Sequence, residues 1–271
     1  MNAKKKTKPT SSKSPVKRQG AKLKSPARNK KSKLDVTMAT SVVAIVTRHL
    51  QSASNEVKAA SMSKYMRNQF AFYGVPSPNL TDIFKHKILV ESPAITDPAA
   101  LRSIMISLWN EPHRECMHVA LKFAMKYQAL LKGENAAECR ATMRCVEEMI
   151  TTNSWWDSID NISPNLVAYL AKEQPNVVNP ILETWITHSN MWLRRAAILY
   201  QLKYKENTDQ DKLFRFCLTC CHEKEFFIQK SIGWALRNYF YTAPKAVKDF
   251  VKENEDKLAK LSKREALKHA R

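Results

Sequence analysis

The chain has 271 residues, of which only 4 are Gly, while 44% are hydrophobic. So few glycines exclude a Gly-rich phosphate loop, a dinucleotide fold and a turn-rich sandwich. Lys and Arg number 45 against 25 Asp and Glu, a formal charge of +20, which calls for a polyanionic partner.

The charge is uneven. Residues 1–34 carry 13 Lys and Arg, no acid and none of the 24 aromatics, so residues 1–35 are expected to be a disordered basic tail. The remainder, 35–271, keeps a surplus of seven bases and holds every aromatic, and 36–271 is enough for one core-bearing domain. No run of 18 apolar residues occurs, and no apolar segment follows the basic start, so neither a membrane span nor a secretory signal is expected. Within the tail, Ser14-Pro15-Val16-Lys17 and Ser25-Pro26-Ala27-Arg28 give compact turns with cations beside them. They suit DNA phosphates or the minor groove, or else a solvated linker. Lys4, Lys5, Lys6, Lys30 and Lys31 also suit nuclear import if the host has a nucleus; otherwise the expected location is the cytoplasm, at the nucleoid.

From residue 36 the pattern is helical throughout. Helices are predicted over 36–52, 55–71, 79–90, 97–109, 112–131, 135–152, 154–161, 164–173, 176–187, 190–205, 208–222, 224–241, 244–252 and 262–270. Pro98, Pro112, Pro164 and Pro244 are read as first-turn prolines, with Asp97 and Ser163 as N-caps. No period-2 alternation is sustained, so essentially no sheet is expected. Trp109, Trp155, Trp192 and Trp234 lie 46, 37 and 42 residues apart, close to the ~40-residue unit of HEAT-type arrays. The expected fold is therefore all-α, a curved solenoid of HEAT-like repeats whose concave face makes a binding groove.

Six cysteines occur. Cys217, Cys220, Cys221 and His222 make half of a zinc site without a second ligand pair, so the thiols are read as core or adventitious, with no metal and no cofactor.

In Ser154-Trp155-Trp156-Asp157-Ser158-Ile159-Asp160, Ser154 and Asp157 read as a capping box. Trp155, Ile159 and Ile162 form the core stripe, and Trp156 and Asp160 share another face. That pair is either a partly buried surface Trp beside a solvated acid or an aromatic–carboxylate site. On 224–241, Ile228, Ile232, Leu236 and Tyr239 trace the buried stripe, while Lys230, Trp234, Arg237 and Tyr241 alternate cations and aromatics on the other side. The second stripe suits a nucleic-acid backbone or, equally, a buried Trp whose neighbouring bases snorkel outward. Arg194 and Arg195 occupy neighbouring faces, so at least one can reach a groove and bind phosphate. Tyr65 stands among bases in Lys64-Tyr65-Met66-Arg67. Ser262 is read as the cap of the last helix, with Lys263 and Arg264 adding charge.

These stretches, together with Trp192-Leu193-Arg194-Arg195-Ala196-Ala197, Lys224 to Arg237 and Leu261-Ser262-Lys263-Arg264-Glu265-Ala266, resemble the DNA alkylation repair family, the AlkD-like HEAT-repeat DNA glycosylases. The resemblance covers about residues 55–271 and leaves out the tail. It implies removal of cationic N-alkylated purines, 7-methylguanine and 3-methyladenine, from double-stranded DNA by a monofunctional hydrolase in base excision repair, with the base largely stacked. By the same resemblance Trp156 and Trp234 flank the lesion nucleotide, Asp160 is the catalytic carboxylate, Arg195 holds the DNA backbone and Tyr65 is a further contact. Arg194, Lys230, Arg237, Lys263 and Arg264 are the remaining expected DNA contacts. No obligate protein partner is expected, and a monomer suits a groove that wraps DNA. The alternative is a non-catalytic HEAT-repeat protein that binds branched or damaged DNA.

Overall fold

The computed structural model describes the backbone of residues 26–270 and the side chains of residues 35–270. Among the described residues fourteen α-helices follow one another: α1 (Pro26–Ser52), α2 (Glu56–Tyr65), α3 (Ser77–Ile83, continuing through a π segment Phe84–Ile88 to Leu89–Glu91), α4 (Pro98–Trp109), α5 (Arg114–Lys126), α6 (Gln128–Leu131) and α7 (Ala136–Thr151). After these come α8 (Trp156–Ile162, a π segment Ser163–Val167, then Ala168–Glu173), α9 (Pro175–Trp185), α10 (Met191–Leu199), α11 (Gln210–Thr219), α12 (Phe226–Phe240), α13 (Pro244–Glu253) and α14 (Lys260–Ala266). Among the described residues there is no strand, only an isolated bridge between Ala71 and His113.

The fold is an α-helical repeat solenoid. Each helix packs mainly on near neighbours: α1 on α4, α4 on α5 and α7, α8 on α10, α10 on α12, and α12 on α14. The apolar stripes merge into one core running from Ala39 to Ala266. Tryptophans stitch neighbouring repeats together. The Trp109 indole N–H donates to the Thr152 carbonyl at 3.0 Å and that of Trp185 to Glu147 at 3.1 Å.

Several local expectations are corrected. Helix α1 begins at Pro26 rather than near 36, so the expected boundary at 35/36 falls inside it. The lysines at 4–6 and the Ser14-Pro15 turn lie outside the described residues. Ser163 is not a cap, and Pro164 does not start a helix; α8 runs straight through both. A proline lacks the N–H for the carbonyl four residues back and its ring crowds that carbonyl. The helix answers by widening, and the Ala168 N–H reaches the Ser163 carbonyl five residues back. The Ser163 hydroxyl instead donates to the Ala196 carbonyl on α10 at 2.5 Å. Ser154 and Asp157 do not form a capping box. Trp155 holds the N-cap position, and the Ser154 hydroxyl donates back to the Ile150 carbonyl. Helix α14 starts after Ala259, so Ser262 is interior; buried there, it donates to the Gln229 carbonyl at 2.9 Å. Pro112 lies ahead of the first turn of α5, whose cap position is His113. Pro98 and Pro244 do open their helices.

No helix among the described residues is long and apolar enough to cross a membrane. Cys217 and Cys220 are buried thiols, and burial pushes Cys220 up to about 12. Burial also raises the Cys217 thiol.

Candidate active site

The residues singled out on α8 and α12 meet in one open cleft of about 410 Å³. Trp156 and Asp160 enter it from α8, Lys230, Trp234 and Arg237 from α12, Arg195 from α10 and Tyr65 from the end of α2. On the helical face opposite the cleft, Ile159 and Ile162 are buried, as the stripe requires.

The start of α8 is fixed from below. Asn153 takes the left-handed conformation, φ 50°, which Asn tolerates better than most residues. Its carbonyl accepts from Arg114 at 2.8 Å, and its amide donates to the Trp109 carbonyl at 3.2 Å. Arg114 is 0% exposed. Its guanidinium grips Asp157 at 3.0 and 2.6 Å, donates to the Ser158 hydroxyl at 3.0 Å and lies 3.9 Å from the Phe70 ring centroid. His118 meets the same carboxylate at 3.0 Å. Burial raises the Asp157 carboxyl, but the hydrogen bonds from His118 and Arg114 and the Arg114 charge outweigh it, leaving the group well below the usual carboxylate range. The aromatic cluster of Trp155, Trp192 and Phe227, with ring centroids 5.1–6.0 Å apart, reaches the cleft wall through Trp155 and Phe227.

Asp160 is mostly buried, its side chain 18% exposed. Arg195 holds both carboxylate oxygens, Nε to Oδ1 at 2.8 Å and Nη2 to Oδ2 at 2.9 Å. Burial pushes the Asp160 carboxyl above the ordinary aspartate value; Arg195 opposes this without cancelling it, and the Asp157 charge adds to the rise. The third face of the guanidinium donates to the Phe227 carbonyl. Arg195 is thus only 4% exposed, with each of its three guanidinium nitrogens engaged. A carboxylate one repeat earlier takes the fork, while Arg195 still lines the cleft.

The other expected contacts divide. Arg194 turns away from the cleft to Glu223, at 2.8 and 2.6 Å, and to the carbonyls of His188 and Ser189. Lys230 and Arg237 do line the cleft, backed by Glu265 of α14 at 3.1 and 2.6 Å. Gly233 lets α14 come this close: a Cβ there would lie 2.5 Å from the Glu265 Cβ. Lys263 and Arg264 line a separate basic cavity with Lys248, Lys252 and Lys268. Tyr65 is 70% exposed and meets Trp156 edge-on, ring centroids 6.0 Å apart. The loop that follows it is anchored by the buried Glu115, which accepts from the N–H groups of Tyr73, Gly74 and Val75 at 2.8–3.1 Å.

Arg114, Glu115, Glu265 and the exposed Phe226 at the cleft mouth were not found from sequence. A pair of charges set among Cys116, Met117 and Val119 was the available signal for the first two.

A sequence profile of DNA alkylation repair enzymes matches residues 46–270. A search of curated proteins finds no match. Among solved structures, the one described as "Predicted DNA alkylation repair enzyme from Enterococcus faecalis" is similar, with a TM-score of 0.69 and 30% identity, over 80% of this chain and 96% of that one. With the profile spanning most of the chain and the fold shared, this protein belongs to the DNA alkylation repair enzyme family.

Proposed function

We propose that the protein is a monofunctional DNA glycosylase that hydrolyses the N-glycosidic bond of cationic N-alkylated purines, 7-methylguanine and 3-methyladenine, in duplex DNA. The observation that carries this reading is the convergence of Trp156, Trp234 and Tyr65 around the Asp160 carboxylate in one open cleft.

Alkylation at N7 or N3 makes the purine a cation, so it leaves as a neutral base without general-acid help. Breaking the bond builds positive charge on the deoxyribose. Asp160 stabilises that charge and takes a proton from the water that adds to C1′. The indole faces of Trp156 and Trp234 add cation–π attraction, about 0.5–2 kcal/mol each in a partly desolvated site. Arg195 acts as a positioning residue: it fixes the plane of the carboxylate and favours its ionised form against burial. The cleft is open rather than a closed base pocket, which supports contact with the sugar and backbone of a base left stacked. The leaving group is already charged, so the chemistry asks for no metal or redox cofactor.

The test is base release from methylated duplex DNA, identified by mass, with Asp160→Asn alongside. Release of 7-methylguanine or 3-methyladenine by the wild type only is expected. One observation favours a second reading: the Asp160–Arg195 pair also ties α8 to α10 as a structural link would. Tight binding of branched DNA with no base release by either protein would select that non-catalytic reading.

A further inference from the structure

The cleft does not end at Asp160. Asp160 and Trp234 also line a second cavity of about 260 Å³, which shares Asp157, Asn161 and Asn165 with a third of about 530 Å³. The three form one channel that passes α8 and runs out between α3 and α5.

The cations along it differ from those in the cleft. Arg195, Lys230 and Arg237 each meet a carboxylate, so much of their charge is already balanced. Lys122 and Lys203 are held by neutral oxygens instead. The Lys122 ammonium donates to the Thr81 hydroxyl at 2.7 Å, and that hydroxyl donates on to the Ser77 carbonyl at 2.8 Å. The Lys203 ammonium donates to the Asn165 amide oxygen at 2.5 Å. Lys85 and Lys126 line the channel beside Lys122, both exposed. Of the two acids on its walls, Asp157 is neutralised by Arg114 and Asp160 by Arg195.

We propose that this channel carries the sugar–phosphate backbone of the strand that enters the cleft, one phosphate bound by Lys122 with Lys85, the next groove position served by Lys203. The proposal rests on the reading that the cleft acts on DNA, though not on its catalysing base release. Partial burial and the neighbouring Lys85 charge both lower the Lys122 pKa, and the charge of an anion seated between the two lysines opposes both. An ammonium prepositioned by a hydroxyl also loses little side-chain freedom when it meets a phosphate.

The experiment is the salt dependence of binding to undamaged duplex DNA by the full chain, so that the tail contributes equally throughout. The variants are Lys122→Met, Lys203→Gln and the double, with Lys132→Gln as control, since Lys132 pairs with Glu173 and lies outside the channel. Each phosphate that is no longer neutralised lowers the slope of log K against log salt by about 0.9, so the double variant is expected to lose about 2 and the control nothing. Thr81→Val removes the hydroxyl but keeps the charge, so its slope is expected to fall by less than half that of Lys122→Met; this separates a fold defect from the removal of a cation. An unchanged slope in the double variant, or an equal fall in Lys132→Gln, overturns the channel. A fallen slope with no base released by any of the proteins supports the channel and removes the glycosylase reading. No DNA binding by the wild type removes both.

Discussion

Arg114 is a fully buried charge, and Arg114→Met tests what it holds in place. Its guanidinium holds Asp157 through two hydrogen bonds, Ser158 and the Asn153 carbonyl through one each, and faces Phe70. The Met stem fills similar space, so the loss is mainly electrostatic. It leaves Asp157, whose side chain is 9% exposed, with His118 alone. Removing one partner of a buried ion pair costs about 3–5 kcal/mol, because the other charge stays desolvated. For a domain of this size that is a fall of about 6–20 °C in melting temperature. Urea unfolding gives the free energy directly, provided the slope against denaturant is unchanged. The double variant Arg114→Met, Asp157→Leu removes the stranded charge and should recover a large part of the loss. A signature in pH accompanies it. The folded-state Asp157 pKa is depressed, so its contribution is fully present above the ordinary aspartate value of 3.8 and is lost as pH falls from there toward the folded pKa. Arg114→Met should flatten that acid loss. A destabilisation below about 1 kcal/mol, or no recovery in the double variant, refutes the reasoning.

Two further outcomes follow from the site. On the proposed glycosylase reading excision uses ionised Asp160, whose pKa is raised, so the single-turnover rate should climb with pH through a value above 3.8 and then level off. Arg195→Met should move that rise higher; a rate that falls as the carboxylate ionises refutes the assignment. Gly233→Ala places a Cβ 2.5 Å from the Glu265 Cβ and 2.9 Å from the Ser262 carbonyl oxygen, so α12 and α14 must separate. Overpacking of this kind costs about 1–3 kcal/mol, read as a lower melting temperature; an unchanged one refutes it.

What the sequence revealed was what local period encodes. Trp156 and Asp160 stand four residues apart, so a helix there puts them on one face whatever surrounds it, and the structure brings both into the cleft. The stripe on α12 is legible for the same reason, as is the all-α fold. Partner choice was not legible. Arg194 and Arg195 look alike in sequence, yet one finds Glu223 and the other Asp160, acids on different repeats. Capping is misleading where a competing bond is available: Ser154, Ser163 and Ser262 each fit a cap by spacing, and each spends its hydroxyl on a carbonyl instead. Pro164 resembles a boundary because a proline in mid-helix is costly, and widening by one residue removes that cost without ending the helix.

The stitches between repeats have an architectural consequence. Those that hold the fold span about one repeat, 43 positions from Arg114 to Asp157 and 35 from Asp160 to Arg195. The cleft, in contrast, faces Tyr65 toward Trp234 across most of the chain. Its width is therefore the accumulated tilt of several joints, like the span of an arch set by the taper of each stone. A slight change of taper at any joint, Ser163 against Ala196 or Gly233 against Glu265, opens or narrows the mouth without touching the residues that line it. The mouth can thus be reshaped from positions far from it, leaving Asp160 and the two tryptophans as they are.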